Sequence, residues 1–100
     1  MNNKRLKIAR KKIDKIDNRI FFLIKKRTQI VRHMLSLKKF KKQIIDHRRI
    51  NEIIRNIRKK SIKNKIDPKI TTKIWKSMIW SYVSYQRRNF KNRKLFTVRR

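Results

Sequence analysis

From Leu6 to Phe40 the apolar residues Ile13, Ile16, Ile20, Leu23, Ile24, Ile30, Val31, Met34 and Leu35 recur at three- and four-residue intervals, with no glycine or proline between them. That spacing predicts one helix of more than thirty residues, about 45–50 Å long at 1.5 Å per residue. A helix of that length cannot bury its apolar stripe against itself. Its simplest partner is a second long helix, the same one in another subunit. A polar break follows at "KKFKKQ", after which Asp46 is placed to cap a second helix with the stripe Ile50, Ile53, Ile54 and Ile57. "NKIDPK" ends that helix, and Asp67 before Pro68 is the start signal of a third, carrying Ile70, Ile74, Trp75, Met78, Ile79, Tyr82 and Val83. The fold class is therefore all-α, with three helices, one long and two shorter. The last stretch, "NFKNRKLFTVRR", keeps little periodicity and is expected to fray.

Composition narrows the setting. One hundred residues make a single small domain, and a chain of this size gains from a partner because it buries only about two-thirds of its unfolded surface. The absence of cysteine removes disulfides and thiolate zinc sites. No apolar run approaches the ~20 residues of a membrane span, and "MNNKRLKIARKK" lacks the apolar centre of a secretory signal, so the expected location is the cytoplasm.

The net charge of +29 points toward a polyanion partner such as nucleic acid. A second cause competes with it. Lysine, isoleucine and asparagine abound while glycine is absent and alanine occurs once, the bias of an A/T-rich coding sequence. Charge alone therefore does not establish nucleic-acid binding, and the patterned residues decide.

Arg27 and Lys38 lie eleven residues apart, three helical turns, and so point within roughly 20° of each other. Arg27 also borders the apolar stripe, where a snorkelling arginine is the plain structural explanation. On the third helix Trp75, Ile79, Tyr82 and Gln86 form one row at four-, three- and four-residue spacings. Gln86 thus ends an apolar stripe with its amide directed inward, unless it is merely a rim residue of a fraying end.

The run Arg10-x-x-Ile13-Asp14-x-Ile16-Asp17-x-x-Ile20, then Arg27, Lys38, Asp46-x-x-Arg49, the "IDP" at Ile66 to Pro68, and Gln86 on an aromatic-apolar helix resembles the all-α class of chorismate mutases over about residues 5–90. The resemblance implies an intertwined helical homodimer with two active sites, a mutase-type domain over 1–92 and a basic tail over 93–100. By the same resemblance Arg10 is donated to the partner's site, while Arg27 and Arg49 hold the substrate's carboxylates within their own subunit. Lys38 reaches a carboxylate and the ether oxygen, Gln86 donates to that oxygen from the other side, and Asp46 helps to position a ring hydroxyl. The implied substrate is chorismate, a small dianion, rearranged to prephenate in aromatic amino-acid biosynthesis.

Such a rearrangement is pericyclic and concerted, so no cofactor, metal or nucleophile is expected. The protein supplies conformational restraint and charge stabilisation. Arginine forks pin two carboxylates, and donors to the ether oxygen favour the transition state over the ground state. His33 and His47 lack the companions of a metal site, and Ser81 and Ser84 lack those of a nucleophile.

Two positions depart from the family pattern. Ile50 stands where many members have a glutamate after the arginine of the second helix, and Glu52 lies about 200° around the helix from it. Tyr82 stands where many have a small hydroxyl residue. Both resemble the branch containing isochorismate-pyruvate lyases and aminodeoxychorismate mutases, so a lyase on the same fold is the second expectation. A basic helical nucleic-acid binder is the third, and it gives no reason for Arg10, Arg27, Lys38, Arg49 and Gln86 to fall in this order.

Overall fold

The structure is a computed structural model that describes residues 2–96. It is all-α: α1 runs Asn2–Leu37, α2 His47–Lys63 and α3 Pro68–Asn89, with 3-10 segments at Lys41–Gln43 and Phe90–Phe96. The chain divides into two compact units, Met1–Val31 and Arg32–Arg100.

The first unit is the N-terminal part of α1, 36 residues in all and thus about 54 Å long. Every residue from 2 to 26 is exposed, including Leu6, Ile13, Ile16, Ile20, Leu23 and Ile24. The stripe expected from the periodicity is present, and within the chain it is uncovered. Asp14 and Asp17 are exposed on the same helix.

The second unit holds a small core. Leu35, fully buried at the end of α1, packs with Ile44 and Val83, and Ile45 and Phe90 close over them. The helix boundaries follow local chemistry. Asp46 caps α2 by accepting from the Arg49 amide at 3.0 Å, and Asp67 caps α3 by accepting from the Lys69 amide at 2.9 Å ahead of Pro68. α2 and α3 pack together, and a polar bridge joins them: buried Ser61 Oγ donates to the Ile57 carbonyl at 2.6 Å and accepts from Thr71 Oγ1 at 2.5 Å.

α2 stops in a Schellman turn. The Ile66 amide donates to the Ser61 carbonyl at 2.9 Å and the Lys65 amide to the Ile62 carbonyl at 3.2 Å. This turn forces Lys65 to φ 60°, a left-handed conformation that in a chain without glycine falls to a lysine. Lys65→Gly is therefore expected to stabilise the fold by about 1 kcal/mol, read as a higher denaturant midpoint at unchanged slope.

The C-terminal stretch differs from its expectation of fraying. Residues 90–96 form a seven-residue 3-10 segment that continues directly from α3, with Phe90 half-buried against the core. The boundary expected between residues 92 and 93 falls inside this segment; residues 97–100 of the expected basic tail lie outside the described residues. Periodicity missed it because its anchor is an arginine side chain reaching backbone 55 residues away.

Candidate active site

The residues singled out in the sequence divide between the two units. Arg10 and Arg27 belong to the first, Arg10 exposed and Arg27 half-buried. On one helix they are separated by about 25 Å along the axis and about 100° around it. Lys38, Asp46, Arg49, Tyr82 and Gln86 belong to the second unit.

Within that unit Lys38 and Gln86 meet. Lys38 follows the last turn of α1, its amide donating to the Leu35 carbonyl at 3.1 Å. Gln86 lies in the last turn of α3, only 7 % exposed, at the end of the row that also buries Ile79. Lys38 Nζ donates to Gln86 Oε1 at 2.8 Å across 48 residues of sequence. An ammonium has no acceptor, so the amide must turn its oxygen toward Lys38, and its remaining donor is the Nε2 amino group. Gln86 is therefore an inward-directed residue and not a rim one.

Burial lowers the Lys38 pKa below its ordinary 10.5, because the half-buried ammonium loses hydration; the Asp46 carboxylate opposes that shift by favouring the charged form. Asp46 is held in place by its capping bond to the Arg49 amide, so one aspartate both starts α2 and biases the lysine.

Arg49 is exposed, and its guanidinium Nη1 donates to Glu52 Oε1 at 2.6 Å, one turn along α2. The i,i+3 spacing of Arg49 and Glu52 is the sequence signal of this pair. Ile50 itself is half-buried, and Tyr82, also half-buried, precedes Gln86 by one turn of α3.

Further basic residues missed by the sequence reading gather nearby: Lys41, Lys42 and Arg87, together with Ile45, line a surface cavity of about 380 Å³. Arg87 follows Gln86 directly and Lys41 opens the 3-10 segment after Lys38. Trp75 is half-buried, whereas the indole of Trp80 is exposed and lies 6.4 Å from the imidazole of His47 at the start of α2. No group of three or more metal-ligating side chains occurs among the described residues, and none of the described helices is long and apolar enough to cross a membrane.

What the second unit presents is a pair of buried-side donors, one cationic and one neutral, beside a basic rim. Such an arrangement can hold an anion and stabilise charge growing on an oxygen. A model of the family described as chorismate mutase type II matches residues 9–87. No curated protein and no solved structure matches the chain.

Proposed function

The chain belongs to the chorismate mutase type II family, and from that premise we propose that it catalyses the rearrangement of chorismate to prephenate as a homodimer. The observation that carries this reading is the 2.8 Å bond between Lys38 Nζ and Gln86 Oε1. Two donors far apart in sequence are brought to one place, as a reaction that builds negative charge on an ether oxygen requires. Lys38 has further N–H donors beyond the one given to Gln86, and Gln86 has its Nε2 group. An oxygen offered to both would be bound more tightly as its charge grows, which lowers the barrier.

In this mechanism Arg27 and Arg49 hold the two carboxylates in their own subunit, Arg10 comes from the partner, and Asp46 orients a ring hydroxyl. The arginine forks fix the enolpyruvyl arm over the ring and remove rotational freedom before the bond-breaking step. Tyr82 borders the ring. The uncovered apolar stripe over residues 2–26 supports pairing of the long helices. The excess positive charge raises the encounter rate with a dianion.

The deciding experiment offers the purified protein chorismate and isochorismate separately and identifies the products. Prephenate from chorismate is expected. Salicylate with pyruvate from isochorismate alone would assign the chain to the lyase branch suggested by Ile50 and Tyr82. Turnover of neither, with tight and steeply salt-dependent DNA binding, would overturn the enzyme reading.

Two smaller effects follow. The Arg49–Glu52 pair is half-exposed on both sides and worth only about 0.2–1 kcal/mol. Substrate must displace it to use the whole guanidinium, so Glu52→Gln is expected to lower KM by about two- to threefold with kcat unchanged.

The second effect concerns pH. Lys38 stabilises the ether oxygen only while protonated, and burial makes its proton leave below pH 10.5. Activity should therefore be present at lower pH and lost as pH rises, with an alkaline limb below that of a free lysine. Asp46→Asn keeps a capping side chain but removes the opposing charge, and should move this limb to still lower pH. For stability the sign is the reverse: between the folded-state pKa and 10.5 the unfolded chain binds more protons, so this group's contribution rises with pH.

A further inference from the structure

The two carbonyls just beyond the end of α1 have a distant donor. A helix leaves its last carbonyls without intrahelical donors, and a glycine commonly turns the chain back to satisfy them. This chain has no glycine, and the last turn of α1 contains no basic residue. Just past that end, the carbonyls of Lys38 and Lys39 take their donors from Arg93, in the 3-10 segment that follows α3.

Arg93 Nε donates to the Lys38 carbonyl at 2.6 Å and Nη2 to the Lys39 carbonyl at 3.4 Å, while Nη1 donates to the Phe90 carbonyl at 3.0 Å. The guanidinium also stacks on the Phe90 ring at 3.9 Å from its centroid, and Phe90 packs on the core. The amides of the same turn are held from the other side: Lys39 and Phe40 both donate to Gln43 Oε1 at 2.8 Å. The turn that carries Lys38 is thus fixed through its carbonyls by Arg93 and through its amides by Gln43.

We infer that Arg93 is a positioning residue, which clamps the Lys38 and Lys39 carbonyls from the C-terminal 3-10 segment and thereby aims the Lys38 side chain at Gln86. A lysine side chain has four rotatable bonds, and the backbone sets the point and direction from which it departs, so a backbone shift displaces the ammonium. Only a planar fork can take both carbonyls while stacked on a ring. The inference rests on the proposed mutase reading for its consequence in catalysis, but the clamp itself is independent of any activity.

The test therefore has two arms, both on the full chain. In the first, the side-chain amide resonances of Gln86 are followed by NMR, identified by their loss in Gln86→Ala. Arg93→Ala is expected to move them toward the values of a free glutamine while the melting curve stays cooperative. Arg93→Lys, which keeps the charge and one donor but not the fork, is expected to move them part of the way. It also carries the test if the alanine variant fails to fold. Gln86 resonances that stay in place in the folded variants overturn the inference, whatever the turnover does.

In the second arm kcat is measured for Arg93→Ala, Lys38→Ala and the double variant. A misplaced catalytic group can cost up to about a hundredfold, and about tenfold in kcat is expected here for Arg93→Ala. In the Lys38→Ala background the same substitution is expected to cost nothing further, because there is no longer a side chain to aim. Additive losses would show that Arg93 does not act through Lys38. A wild-type chain without chorismate turnover would remove the mutase reading and leave the first arm to decide on the clamp.

Discussion

Lys38→Ala is expected to lower the kcat for chorismate by about 10²–10³-fold, the loss of roughly 3–4 kcal/mol typical of removing one donor from developing negative charge. KM should rise less, because the arginines retain the carboxylates. The same substitution removes the donor that Lys38 gives to Gln86 Oε1. Gln86 is 7 % exposed, so its oxygen loses a partner where water is scarce, at a cost of about 1–3 kcal/mol of stability. Lys38→Met keeps much of the packing of the aliphatic stem but strands the same acceptor and should show both losses, whereas Gln86→Ala removes that acceptor together with the second donor. All three should be slow. Lys38→Arg should not restore the rate, since a planar fork cannot occupy the position of a compact ammonium. An alanine variant that folds and turns over within a few-fold of wild type would remove Lys38 from the mechanism.

The caps and the facing of Gln86 are legible in the sequence because their signals are local. The N-caps at Asp46 and Asp67 lie within three residues of the amides they bind. The inward aim of Gln86 follows from its row with Ile79, since a helix repeats its faces whatever it packs against. That Lys38 and Gln86 meet needed the family pattern, because periodicity fixes a face of each helix but not which faces oppose. Arg93 was invisible to both. Its partners are backbone carbonyls, which every residue possesses, and it lies beyond the matched residues 9–87 in a stretch without helical spacing. The Arg49–Glu52 pair was available at i,i+3 spacing.

The other large effect tests where Arg10 and Arg27 act. The two arginines stand on one continuous helix, about 25 Å apart along its axis and about 100° out of phase. One small dianion cannot engage both from the same helix, so if both bind substrate they serve different sites. In a symmetric dimer each site then takes Arg27 from one chain and Arg10 from the other. Arg10→Ala and Arg27→Ala homodimers should each lose about 2–5 kcal/mol in kcat/KM, the cost of stripping one partner from a buried charge pair. When the two variant chains are unfolded together and refolded, half of the dimers are mixed if pairing is random. In a mixed dimer one site receives the intact Arg27 of the first chain and the intact Arg10 of the second, while the other site carries both lesions. The mixture should therefore recover about a quarter of the wild-type activity per site, from two preparations that are each nearly inactive. Native mass measurement supplies the fraction of mixed dimers, and the recovered activity should scale with it. Mixed dimers present in the expected proportion without recovery would place both arginines in the same site or in none. Recovery without any dimer is not possible on this scheme, because the uncovered stripe of α1 is what brings the second arginine in.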